Sequence, residues 1–155
     1  MNVTGQLNVT VTSNSPICEG DTLRLIANGG VAFIWNGPNG FNATSRNLII
    51  PASNSTINGN YILTVSDVSG CTGTRQVSVV IKPKPKANIT GDQQICLGDT
   101  VTLRSSSQGA LLWSTQAITA SIKISPLVNT TYTLITDLNG CKDTVSYSVD
   151  RKSVV

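Results

Sequence analysis

With 155 residues and 16.3 kDa, the chain fits one ordinary domain or two small ones, and only 12% of it is charged. Thr, Ser, Asn, Val and Gly dominate while Ala, Glu and Lys are too sparse for long helices, so the composition predicts an all-β protein. The net charge of +3 traces to Lys82, Lys84 and Lys86 alone, because the charges of residues 1–81 and of residues 87–155 cancel. Neither half therefore carries the basic face that phosphate-backbone binding requires, which argues against nucleic acid as a partner.

In chain order, alternation of apolar residues predicts short strands. A first strand is expected in "LNVTVTS". It is followed by Leu23, Leu25 and Ala27; by Val31, Phe33 and Trp35; by Leu48 and Ile50; by Tyr61, Leu63 and Val65; and by Val77, Val79 and Ile81. The phrase "ICEGDTLRL", Ile17 to Leu25, then returns as "ICLGDTVTL", Ile95 to Leu103, an offset of 78 that also places Phe33 on Leu111 and Trp35 on Trp113. Later, "YILTVSDVSGC" ends at Cys71 and "YTLITDLNGC" at Cys141, so the second copy is eight residues shorter between its tryptophan and its second cysteine. The lost residues fall in turn-rich stretches, where changes of length cost little. Copy two repeats the strands with "KANIT", Val101 and Leu103, Leu111 and Trp113, Ile122 and Ile124, Tyr132 and Leu134, and Val145, Tyr147 and Val149. Six or seven short strands per copy predict two tandem β-sandwiches. The expected domains are 1–81 and 87–155, joined by a semi-rigid Lys-Pro linker at 82–86.

Of the three pairings that four cysteines permit, one bond inside each copy is expected, Cys18 with Cys71 and Cys96 with Cys141. In the chain-entropy model a loop of about 50 residues closed this way stabilises by roughly 4 kcal/mol, a large share for so small a domain. Such bonds imply an oxidising location. A zinc site is not expected, since the chain has no histidine and no Cys-x2-Cys pair, and without histidine no cysteine has a base beside it. The Gly20-Asp21 and Gly98-Asp99 steps read as turns leading into the following strand.

Ile-Cys-x-Gly-Asp-Thr, then Trp, then Tyr-x-Leu, then Asp-x-x-Gly-Cys resembles the tandem immunoglobulin-like repeats of very large secreted and cell-surface proteins of the Bacteroidetes, including gliding-associated and adhesin-like proteins. "WNGPNGF" looks like a phrase of the same family, and both copies are covered nearly end to end. The resemblance implies an all-β fold of two immunoglobulin-like β-sandwich domains in an extracellular or cell-surface chain, with neighbouring repeats of the same kind in the parent protein. It also implies an O-glycosylation pattern of Asp, Ser or Thr, then an aliphatic residue, which matches at Thr22, Thr100 and Thr144. Met1-Asn-Val-Thr has no signal-peptide character and no run reaches the roughly 18 apolar residues of a membrane span. The expectation is a piece of a longer exported chain, with no membrane insertion in this segment.

Several residues invite a functional reading. Trp35, Trp113, Tyr61 and Tyr132 recur in register and read as core markers, the tyrosines at the tyrosine-corner position of sandwich folds. Ile34 and Leu112 fall on the face opposite the tryptophans, where coverage by an edge strand or neighbouring module is expected. The loop at 36–42, holding Asn36, Asn39, Phe41 and Asn42, and the loop at 54–60 are the candidate ligand loops, with polysaccharide or another surface protein as the partner. The single glutamate, the turn-bound aspartates and the missing histidine argue against an enzyme. No metal or cofactor is expected. Six Asn-x-Ser/Thr sequons, at Asn2, Asn8, Asn42, Asn54, Asn88 and Asn129, read as chance in so Asn- and Thr-rich a chain.

Overall fold

Leu23, Leu25 and Ala27 are fully buried and the residues between them, Arg24 and Ile26, are exposed, so the period of two in the sequence becomes the inward and outward faces of a strand. The same rule builds the rest of the computed structural model, which describes residues 6–153. The chain divides into two compact units, Met1–Pro83 and Lys84–Val155. Asn2 lies outside the described residues.

Unit 1 contains β1 (Thr10–Ser13), β2 (Ile17–Cys18), β3 (Leu23–Asn28), β4 (Ala32–Asn36), β5 (Asn42–Ala43), β6 (Asn47–Ile50), β7 (Gly59–Ser66), β8 (Thr72–Val79) and β9 (Ile81–Lys82). One sheet has the order β1-β3-β6 and the other β5-β4-β7-β8, all antiparallel. A short parallel pairing joins β2 to β9, with Cys18 opposite Lys82. A cis Ser15–Pro16 bond lies between β1 and β2. Trp35, Tyr61, Leu23, Leu25, Leu63 and Val65 fill the space between the sheets. Burying one such aliphatic side chain is worth about 1.5–3 kcal/mol.

Unit 2 contains β10 (Gln94–Cys96), β11 (Val101–Arg104), β12 (Ala110–Trp113), β13 (Ser121–Ile124), β14 (Thr130–Leu138) and β15 (Cys141–Lys152). Its sheets have the orders β11-β13 and β10-β15-β14-β12. Here too the pairing of the early strand with the last one is parallel, and Cys96 lies opposite Lys152. Trp113, Leu103, Leu134 and Val149 centre a separate core. An Asn139-Gly140 turn with positive φ at both residues joins β14 to β15, the chemistry that two-residue hairpins favour.

Four expectations need correction. The leading segments are poorer in ladder than their alternation suggests: β1 begins only at Thr10, and "KANIT" contributes a single bridge, Thr90 to Arg104. Val31 precedes β4 and is exposed, since Gly29 and Gly30 place it in the turn. Ile34 and Leu112 are 50% and 42% exposed on the outer face of their sheets, so the expected cover by an edge strand is missing.

The cysteine pairing is the fourth. Cys18 and Cys141 are disulfide-bonded, while Cys71 and Cys96 are free and exposed, so neither expected pair forms. Strand direction explains why neither unit closes its own pair. In unit 2, Cys141 opens β15 and Cys96 pairs with Lys152 at its far end, so twelve residues of unbroken strand separate the two. In unit 1, Cys71 precedes β8 and Cys18 pairs with Lys82 beyond its end. At about 3.3 Å per residue each separation is roughly 35 Å. A disulfide needs Cα atoms within about 7 Å.

Candidate functional site

Two ends of each sandwich hold the residues that the sequence singles out. At the end where β3 begins, the Gly20-Asp21 turn is closed by Asp21 N–H donating to the Cys18 carbonyl at 3.0 Å and by Cys18 N–H donating to Asp21 Oδ2 at 3.3 Å. Gly20 takes φ +93°, a region open to glycine at little cost, and its N–H donates to the Ser53 carbonyl at 2.8 Å. Unit 2 repeats the turn with Gly98 at φ +88° and Asp99 N–H donating to the Cys96 carbonyl at 3.1 Å. These turns therefore set each first cysteine beside the last strand. Thr22 and Thr100 follow them directly, Thr22 half-buried and Thr100 exposed, while Thr144 is exposed within β15 opposite Ile135.

The loop of residues 36–42 closes at the same end of unit 1. Pro38–Gly40 form a 3-10 turn, with Phe41 N–H donating to the Pro38 carbonyl at 3.0 Å and Gly37 N–H to the Phe41 carbonyl at 2.8 Å. Asn39 Nδ2 donates to the Thr56 carbonyl at 2.8 Å, so the structure brings this loop against the one at residues 54–60. The half-buried Phe41 ring meets Tyr61 edge-on, centroids 5.7 Å apart at 65°. Gly37 leaves that ring its room, since a Cβ there would lie 2.6 Å from Tyr61 Cε1. Asn36 and Asn42 are exposed and face each other across β4 and β5.

The tryptophans and tyrosines lie in the cores. Trp35 Nε1 donates to the Ser45 carbonyl at 2.9 Å and Trp113 Nε1 to the Thr119 carbonyl at 2.8 Å. Tyr61 donates its hydroxyl to the Ile57 carbonyl at 3.0 Å. Burial raises the phenols of Tyr61 and Tyr132 above their usual value, since it disfavours the phenolate.

One pair of residues escaped the sequence reading. Asn58 clamps Ile81 from both sides, its Oδ1 accepting from Ile81 N–H at 2.5 Å and its Nδ2 donating to the Ile81 carbonyl at 3.4 Å. Asn129 Oδ1 accepts from Arg151 N–H at 2.8 Å. Both asparagines stand three residues before the tyrosine of their copy, and that shared position was the available signal.

Among the described residues no group of three or more His, Cys, Asp or Glu is placed to hold a metal ion, and no helix is long and apolar enough to cross a membrane. What the arrangement offers is structural closure at each end and exposed strand faces between.

Two packed antiparallel sheets, with an early strand running parallel to the last, define an immunoglobulin-like β-sandwich. No family model and no curated protein matches the chain. Solved structures do. The insect immune protein hemolin, described as having a domain arrangement with implications for homophilic adhesion, aligns with a TM-score of 0.59 at 11% identity, over 99% of this chain and 49% of its own. Extracellular domains 3-5 of Drosophila OTK align at 0.57 with 14% identity, over 95% of this chain and 62% of theirs. The chain thus spans about half to three-fifths of these two neighbours. At these identities the likeness concerns the fold.

Proposed function

We propose that this chain is a non-catalytic segment of a long exported or cell-surface protein of the Bacteroidetes repeat type, in which immunoglobulin-like modules serve as spacers or adhesive units. The observation that carries the reading is the duplicated structural use of its conspicuous residues. In both units the tryptophan anchors the loop that follows its strand, the asparagine before the tyrosine clamps the last strand, and the Gly-Asp turn seats a cysteine. The disulfide-bonded Cys18 and Cys141 support export to an oxidising compartment. Neighbouring repeats of the parent chain, or another surface protein, are the partners this role implies.

The alternative is a polysaccharide-binding accessory module using the 36–42 and 54–60 loops, and the contact between Asn39 and Thr56 is the observation in its favour. A retention screen of the oxidised protein against soluble and insoluble polysaccharides separates the two. No retention is the expected result. Specific retention that disappears when residues 36–42 are replaced by the shorter turn of copy two would overturn the spacer reading. Intact mass of protein secreted by its native host tests modification at Thr22, Thr100 and Thr144.

A further inference from the structure

Lys and Arg are surface residues and exposed loops are where folded chains are nicked, so basic residues in loops are the ordinary points of entry for proteases that cut after them. This chain keeps them out of its loops. Eight of its eleven Lys and Arg residues lie in strands. Arg24 is in β3, Arg75 in β8, Lys82 in β9 and Arg104 in β11. Lys123 is in β13, and Lys142, Arg151 and Lys152 are in β15. Exposed loop positions go to aliphatic residues instead: Val68 is 89% exposed, Ile118 74% and Leu127 72%.

A protease cleft takes in an extended segment stripped of its neighbours, so a bond inside a ladder is cut only from a locally opened state. Arg75 is paired with Leu63, Lys123 with Thr102 and Lys142 with Asp137, each within its sheet. The three basic residues outside strands are each held in another way. Arg46 has its guanidinium engaged, Nε donating to the Ala27 carbonyl at 3.0 Å and Nη2 to Asn28 Oδ1, and the next residue, Asn47, is already paired with Ile26. Lys84 precedes Pro85, as Lys82 precedes Pro83, so the nitrogen after each lies in a stiff ring and carries no hydrogen. Lys86 alone in the linker precedes an ordinary residue. There Ala87 N–H donates to Asp143 Oδ2 at 2.8 Å and Asn88 N–H to Ser107 Oγ at 2.8 Å, which fixes both amides that follow the cleavage point.

We infer that the folded chain resists endoproteases that cut after Lys or Arg, and that the resistance comes from where those residues stand: in ladders, before proline, or beside a fixed hydrogen bond. The linker holds the whole net charge of +3 and would otherwise be the first point of attack. Pro83, Pro85 and Asp143 close it, one behind each lysine. Such resistance serves a spacer and a binding module alike, so its test is independent of the polysaccharide screen.

The test exposes the oxidised full chain to trypsin, which cuts after Lys and Arg, and in parallel to thermolysin, which cuts before large aliphatic residues. Products are read on reducing gels and mapped by mass spectrometry. Trypsin is expected to trim only residues 153–155, after Lys152, while thermolysin nicks the loops that carry Ile118 and Leu127. Early tryptic cuts inside the chain would overturn the inference, and so would equal resistance to both enzymes, because protection would then owe nothing to the placement of basic residues. Ile118→Lys, at an exposed loop position, should create one new tryptic cut, and an uncut variant counts against the inference. In the linker, Pro85→Ala should raise cleavage after Lys84 about tenfold, and Asp143→Ala should raise cleavage after Lys86 by about as much. Unchanged rates in both would show that proline and Asp143 are not what closes the linker. An unaltered thermolysin pattern in each variant reports that the fold is retained.

Discussion

The two units handle the start of the chain differently at equivalent positions. In unit 1 the incoming backbone lies directly on Gly73, where a Cβ would meet the Leu7 carbonyl oxygen at 2.7 Å and a Val9 methyl at 2.7 Å. In unit 2 the corresponding place is Asp143, whose Oδ2 accepts from Ala87 N–H at 2.8 Å. One unit docks its first segment by close approach and the other by a charge-assisted hydrogen bond. The difference teaches that the repeat conserves a docking position while leaving open the chemistry that fills it. The loops after the tryptophans make the same point. Unit 1 runs ten residues from Trp35 to its acceptor Ser45, and unit 2 six from Trp113 to Thr119, yet both close on an indole N–H.

The hardest way to break this equivalence is to remove the indoles. Trp35→Ala and Trp113→Ala should each cost about 3–5 kcal/mol in their own unit, comparable with the whole stability of so small a domain. Peptide-resolved hydrogen exchange should show protection lost in the mutated unit. Loss confined to the other unit would contradict the two separate cores. A smaller effect, about 1–3 kcal/mol, is expected for Asn58→Ala, which leaves both Ile81 backbone groups without their clamp. Asn129→Ala should cost less, because one bond is lost instead of two, and denaturant midpoints would rank the pair. The smallest effect concerns pH and belongs to unit 2 alone. The Ala87 N–H bond, followed by the Thr144 amide and the charges of Lys84 and Lys86, holds Asp143 below the ordinary carboxylate value of 3.8. A depressed folded-state value means that its stabilisation is present above about pH 4 and is lost as pH falls through the folded value. Melting of unit 2 should therefore weaken in acid and do so less in Asp143→Asn, with no matching change in unit 1, where glycine occupies the site.

Much of this architecture was legible in the sequence because the signals were periodic or duplicated. Alternation identified Leu23, Leu25 and Ala27 as inward-facing, and the offset of 78 paired Trp35 with Trp113 before any contact was known. The loop of residues 36–42 was legible as a loop, but the edge-on contact of Phe41 with Tyr61 was not, because spacing does not encode it. The cysteine pairing failed for a reason that the strand reading already contained. β3 is antiparallel to β6, and the chain turns back once more before β7, so β3 and β7 point the same way. A residue before the first and a residue after the second must then lie at opposite ends. Equivalence between copies showed that the four cysteines form a set, whereas strand direction decides which members can meet.

The short parallel pairings have a mechanical consequence. In unit 1, Ile17 and Cys18 lie alongside Ile81 and Lys82, and in unit 2 residues Gln94 to Cys96 lie alongside Asp150 to Lys152. Tension applied through the two ends of a unit drags such neighbouring strands past one another in opposite directions. The hydrogen bonds between them, among them Glu19 N–H to the Lys82 carbonyl at 2.8 Å, are then strained together instead of opening one after another like a zipper. Each unit carries one such parallel pair beside the end of its last strand.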